Sequence, residues 1–168
     1  MSERRIALIS TGGTIEKTYD PYEGIMDNSV SVLDVMIAQL VLHGVNLVRV
    51  PLMNKDSLEM SVDDHELIAS TASSFAQNHD GVLIAHGTDR LHVTGERICE
   101  LFEPRVPIVL TGAMKPWELR TTDAMQNLTE ALTAIQLVEP GVYVAMHNRV
   151  LRFPGVIKDL RRGTFVKP

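Results

Sequence analysis

The chain has 168 residues, 45% of them hydrophobic and 22% charged, with a formal net charge of −5. That acidic balance argues against a nucleic-acid face, which needs clustered Lys and Arg. The lone Cys99 excludes an intrachain disulfide and an all-cysteine metal site, and no apolar run approaches the roughly 18 residues of a membrane helix.

Met1-Ser2-Glu3-Arg4-Arg5 leads into an apolar run too short for a signal peptide, so a cytoplasmic chain folded as one domain over 1–168 is expected. Ile6-Ala7-Leu8-Ile9 reads as a buried strand that runs into Ser10-Thr11-Gly12-Gly13-Thr14-Ile15, a tight loop with a threonine on each side of two glycines. A polar loop with Tyr19, Pro21, Tyr22 and Gly24 follows. Ser31 with Asp34 has the spacing of a capping box, and Leu33, Met36, Ile37, Leu40 and Val41 share one helical face ahead of Gly44. Val45 to Val50 is a second strand, ended by Pro51, with a loop from Leu52 to Met60. Ser61 and Asp64 repeat the capping pattern before a helix carrying Leu67, Ile68, Ala72 and Phe75. Val82 to Ala85 is a third strand, entering His86-Gly87-Thr88-Asp89-Arg90. A helix through Ile98, Leu101 and Phe102, a strand from Pro107 to Leu110, a helix through Met125, Leu128, Leu132 and Ile135, and a strand from Val142 to Met146 complete the alternation. The tail from His147 to Pro168 alternates at Val150, Phe153 and Val156 as a hairpin would.

Continuous apolar strands alternating with helices predict an α/β fold: a flavodoxin-like or Rossmann-like three-layer sandwich, mostly parallel, with helices on both faces. Strand order 2-1-3-4-5 is a common solution for such a chain, and ligands then bind beyond the carboxyl ends of strands 1 and 3. That places Thr11-Gly12-Gly13-Thr14 opposite His86-Gly87-Thr88-Asp89. A threonine hydroxyl needs a base to act as a nucleophile, and a lysine in its neutral form would serve. Glycine-flanked N–H groups suit a tetrahedral oxyanion. The plainer reading makes Thr14 and Thr88 helix caps, Lys158 a surface lysine, His86 a packed strand-end residue and Cys99 a small buried hydrophobe. His43, His65, His79, His92 and His147 have no ligand spacing and read as surface or core. Trp117 reads equally as a loop anchor or an interface residue.

Thr11-Gly12-Gly13-Thr14-Ile15 and His86-Gly87-Thr88-Asp89 together resemble the two signature loops of the bacterial-type L-asparaginase/glutaminase family. Ser57-Leu58-Glu59-Met60 is similar to its Ser-x-Asp-Met loop, and Gly112-Ala113-Met114-Lys115-Pro116 to its Gly-Ala-Met-Arg-Pro turn. Asp123 and Asn127 match the helix after that turn, and Lys158 falls where the family places its catalytic lysine. The resemblance covers nearly the whole chain and implies hydrolysis of the side-chain amide of L-asparagine through an acyl-threonine. It makes Thr14 the nucleophile and Thr88, Lys158 and Asp89 a second hydrogen-bonded triad. Ser57 would hold the substrate carboxylate, Glu59 and Asp89 its ammonium, with Gly13 and Gly87 lining the site. A tyrosine supports Thr14, for which Tyr22 is the candidate. The family uses neither metal nor organic cofactor, so none is expected.

Four departures stand out. Glu16-Lys17 replaces a small residue and glycine, Glu59 an aspartate and Arg90 a threonine. The family's second domain has no counterpart in this sequence, so a short single-domain member is expected, completing its site by homo-oligomerisation. Rival readings are an inactive amino-acid sensor, an amidotransferase-like subunit that needs a partner, and an anion-binding module. The last lacks the Gly-Lys-Ser/Thr ending that phosphate loops use.

Overall fold

The structure, a computed structural model, describes residues 3–168; Met1 and Ser2, which begin the N-terminal stretch, lie outside it. In chain order the strands are β1 (Arg4–Gly12), β2 (Thr18–Asp20), β3 (Ile25–Asp27), β4 (Val45–Lys55), β5 (Gly81–Ala85), β6 (Pro107–Thr111), β7 (Gly141–Met146), β8 (Arg149–Arg152), β9 (Ile157–Asp159) and β10 (Thr164–Val166). The helices are α1 (Leu33–Ala38), α2 (Val62–Ala76), α3 (Leu91–Leu101) and α4 (Ala124–Leu137).

Ile6 and Leu8 of β1 belong to one core layer and Ala7 and Ile9 to the other, and all four are shut off from solvent. The pleat sends alternate side chains to opposite faces, so a strand covered on both sides must be apolar throughout. On the first face Leu33 and Met36 of α1 and Leu128, Leu132 and Ile135 of α4 pack against Leu8, Leu83 and Val109. On the second face Ile68 and Ala72 of α2 and Leu91 and Ile98 of α3 pack against Ile9, Ile84 and Leu110. The result is the expected α/β three-layer sandwich. The sheet order is β4-β1-β5-β6-β7-β8, parallel up to β7 and antiparallel at β8. Its first five strands follow the expected 2-1-3-4-5 order. The chain reverses between β7 and β8 at His147 and Asn148, both in the left-handed region (φ 54° and 60°) as a type I′ hairpin requires.

Three local expectations are corrected. Strand β4 does not stop at Pro51 but runs on to Lys55. It lies at the sheet edge, the part of a sheet in which proline is tolerated. The Ser31–Asp34 box does not form: Ser31 hydrogen-bonds Glu16, Asp34 pairs with Arg49, and α1 is six residues long. Val41 lies beyond α1 and is exposed. The loop around Tyr19 and Tyr22 contains a small hairpin, β2 with β3. Helix α2 does carry the Ser61–Asp64 capping box, with both hydrogen bonds present.

Candidate active site

The carboxyl ends of β1 and β5 bring the two glycine loops into backbone contact. Gly13 has φ 81° and ψ −177°, a conformation open essentially to glycine alone. A Cβ there would come within 2.3 Å of Gly87 Cα. A Cβ on Gly87 would come within 2.7 Å of Ser57, just past the end of β4. Gly112 packs in the same way, with the His86 carbonyl 2.3 Å from where its Cβ would be. Four loops thus meet around Gly87, packed so closely that a side chain on any of these glycines would clash.

The threonines that flank the glycines do different jobs. Thr11 is fully buried and its hydroxyl donates to the Ala85 carbonyl at 2.9 Å, tying β1 to β5. Thr111 does the same between β6 and β7, donating to the Ala145 carbonyl at 2.8 Å. The side chain of Thr14 is part-exposed and makes no hydrogen bond among the described residues, so it is not a helix cap. Thr88 is nearly buried. Lys158, reaching over from β9, donates to its hydroxyl at 3.0 Å and to the Asp89 carboxylate at 2.6 Å. Lys158 is therefore no free surface lysine; its side chain is 11% exposed. The Thr88 hydroxyl faces the Met114 sulfur at 3.5 Å, a weak acceptor.

Ser57 is buried beside Gly87 and its hydroxyl accepts from the Arg90 N–H at 3.2 Å. Arg90, which stands where the family usually has threonine, also donates its guanidinium to the Met60 carbonyl at 2.9 Å, joining the two loops. Glu59 is exposed, and its carboxylate makes no hydrogen bond or ion pair among the described residues. Tyr22 lies at the tip of the β2–β3 hairpin, 95% exposed, and the structure does not bring it against Thr14. The residue that does reach the Thr14 loop from that side is Asn28, whose amide donates to the Gly13 carbonyl at 2.8 Å.

Asn28 and Asp56 shape the site without any signal of their own in the sequence; only their contacts reveal them. Lys17 pairs with Asp56 at 2.7 Å, bridging the Thr14 and Ser57 loops, and the Lys17 hydrogen bond holds the Asp56 carboxyl below its ordinary range. Asp123 accepts from the N–H groups of Met114 and Lys115, from Asn127 and from His147. Burial pushes the Asp123 carboxyl up, but those hydrogen bonds outweigh it and the net shift is downward. Asn127 in turn donates to the Gly112 carbonyl at 2.9 Å. Glu16 is buried under the Thr14 turn and touches Ser31, while its second oxygen has no partner among the described residues. Burial raises its carboxyl above the ordinary range, against the pull of the Ser31 hydrogen bond. His86 is wholly buried at the end of β5, as its strand-end reading implies, and burial pushes its imidazole down to about 4. Among the described residues no group of three His, Cys, Asp or Glu side chains could hold a metal, and no helix is long and apolar enough to cross a membrane.

Residues 5–159 match the family described as asparaginase, N-terminal. The chain is 30% identical over 152 residues to an L-asparaginase from Thermococcus kodakarensis, covering 88% of this chain and 45% of that protein. It is 32% identical over 149 residues to a glutamyl-tRNA(Gln) amidotransferase subunit from Methanobrevibacter smithii, covering 88% of this chain and 34% of the relative. The solved structure of the thermostable L-asparaginase from T. kodakarensis superposes with a TM-score of 0.85 at 28% identity, over 97% of this chain and 51% of that one. The probable cytoplasmic L-asparaginase from Campylobacter jejuni gives 0.78 at 29% identity, over 99% and 52%. The chain thus spans at most about half the length of these relatives. With its strand order, its facing glycine loops and this family match in agreement, the chain belongs to the asparaginase family, over the region of the family's N-terminal domain.

Proposed function

We propose that this protein hydrolyses the side-chain amide of L-asparagine to L-aspartate and ammonia through an acyl-threonine. The observation that carries the reading is the Lys158 amine held at 3.0 Å from the Thr88 hydroxyl and 2.6 Å from the Asp89 carboxylate, beside the Gly13–Gly87 contact. Hydrogen-bond reach between nucleophile, base and orienting group is what such chemistry needs.

In this reading a threonine oxygen attacks the amide carbon and the oxygen–carbon bond forms. The carbon–nitrogen bond then breaks, and the nitrogen leaves as ammonia after taking a proton. Water attacks the ester in turn, releasing aspartate and restoring the threonine. Lys158 acts on Thr88 when its amine is neutral, accepting the hydroxyl proton and later returning it, with Asp89 fixing its position. Thr14 carries the attack by the family resemblance, and the proton its hydroxyl loses is the one the leaving nitrogen takes. Its hydroxyl makes no hydrogen bond among the described residues and is free to be aimed by the substrate, whereas the Thr88 hydroxyl has the Lys158 amine 3.0 Å away. Both are therefore required. Ser57 and Glu59 are assigned to the substrate's carboxylate and ammonium, with Asp89 sharing the latter. No metal or organic cofactor enters any step.

The experiment is ammonia release from L-asparagine and, separately, L-glutamine, by the protein and by its Lys158→Met variant. Loss of general acid–base help costs about 10²–10⁴-fold in rate. A variant with unchanged rate would remove Lys158 as the base.

A second reading has a specific observation behind it. Glutamyl-tRNA(Gln) amidotransferase subunits recur among the similar proteins. In that case the same site releases ammonia only with a partner protein present. A binding-only role, as an amino-acid sensor, predicts thermal stabilisation by aspartate and no ammonia. Cytoplasmic location and self-association go with the asparaginase reading, and light scattering checks the latter.

A further inference from the structure

Behind the Thr88 loop runs a line of buried polar side chains that the chemistry above does not use. His65 of α2, Thr94 of α3 and His86 at the end of β5 are each at least 95% buried. His65 Nδ1 lies 2.7 Å from Thr94 Oγ1, Thr94 Oγ1 lies 2.7 Å from His86 Nε2, and His86 Nδ1 lies 2.8 Å from the Gly87 carbonyl. The two imidazoles are nearly parallel, with centroids 6.1 Å apart.

The direction of every proton in this line is fixed by what each atom can do. A carbonyl oxygen only accepts, so His86 carries its proton on Nδ1. Burial keeps His86 neutral near neutral pH, so its Nε2 is a bare acceptor and takes the Thr94 hydroxyl proton. Thr94 has no second proton, so it accepts from His65, which must also carry its proton on Nδ1. The far end agrees independently. His65 Nε2 is buried with no partner among the described residues. A buried lone pair without a donor is tolerated more readily than a buried N–H without an acceptor.

The Gly87 carbonyl and the Thr88 N–H belong to one planar peptide unit. Clamping the carbonyl therefore sets where the Thr88 N–H points. It also sets the backbone against which Gly13 and Ser57 are packed too closely to move independently. We propose that His65 and Thr94 are positioning residues of this site, holding His86 in the single tautomer that clamps the Gly87–Thr88 peptide and so aims Thr88 at the substrate. The role in catalysis rests on the amidohydrolase reading; the tautomers do not.

The test has two readouts. Long-range proton–nitrogen correlation spectra of the wild-type protein at neutral pH should show His65 and His86 both protonated on Nδ1. Thr94→Val keeps the shape and removes the hydroxyl, whereas Thr94→Ser keeps the hydroxyl. Thr94→Val should lower kcat at least about tenfold with KM within about twofold, as a misaimed catalytic group does. Thr94→Ser should keep both near wild type. If the wild-type protein releases no ammonia, the spectra still decide: Thr94→Val but not Thr94→Ser should shift the Thr88 amide resonance. An Nε2-protonated His86 or His65 in the wild type overturns the proposal. So does a folded Thr94→Val variant with wild-type kcat or, without turnover, an unmoved Thr88 amide.

Discussion

A methyl group on Gly13 has nowhere to go. Gly→Ala at an unstrained position stabilises a protein by about 0.4–1 kcal/mol through the unfolded chain. Gly13 sits at φ 81° with the Gly87 backbone 2.3 Å from where a Cβ would be. Strain of that kind alone costs about 1–3 kcal/mol, so the cost wins. Gly13→Ala should lower the denaturant midpoint and release less ammonia, even in the fraction that folds. A variant as stable as wild type would mean that the two loops are not in contact. The same closeness made the loops legible. The glycines and threonines of both loops stand out in the sequence because each residue type is tied to its place. Thr11 and Thr14 look alike there as residues beside the glycines, yet one is a tie between strands and the other makes no side-chain hydrogen bond among the described residues. Only the path of β1 past Ala85 separates them. The placement of Tyr22 was hidden for a related reason: a loop tyrosine reads as near the site, and the β2–β3 hairpin holds it out in solvent.

Ser31 and Ser61 show what local pattern decides and what it does not. Both precede an aspartate by three residues. Ser61 closes a capping box on α2, a long helix whose first turn has orphan N–H groups to satisfy. Ser31 instead finds Glu16, a buried carboxyl that needs a donor more than a six-residue helix needs a cap. Ser61→Ala should therefore cost about 1 kcal/mol of stability, read as a lower denaturant midpoint with an unchanged slope. No change would remove the box as a stabilising element. Strands buried on both faces were legible because continuous apolar runs have few other uses. The continuation of β4 past Pro51 was not, since whether a proline ends a strand depends on its place in the sheet. The His65–Thr94–His86 line was equally hidden. Its members come from two helices and a strand end, and no spacing in the chain relates them.

The packed molecule answers to pH through those histidines. Folded His86 takes a proton only near pH 4, against 6.5 for a free imidazole, because burial disfavours the cation. His65 and His92 are lowered in the same direction, also first by burial. Between those values the unfolded chain binds protons that the folded chain refuses. Stability from this source is complete above about 6.5 and is lost as pH falls toward 4, amounting to about 3 kcal/mol for His86. Glu16, raised by burial, works in the opposite sense and gains as the pH falls. Chemical denaturation at pH 7 and at pH 4.5 should show the net loss; equal stability at the two values would mean that the buried histidines do not outweigh Glu16. The sheet order did the rest of the assembly. By placing β1 beside β5 it set two distant loops face to face, and the β9 segment then brought Lys158 onto Thr88. Catalysis by the paired threonines is tested most directly by ammonia release from L-asparagine by the purified protein, compared with its Thr14→Ala and Thr88→Ala variants, all shown to be folded. Release by the wild type that all but vanishes in each variant is the predicted result. Full activity in both variants, or no release from asparagine by a well-folded wild-type protein, would contradict it.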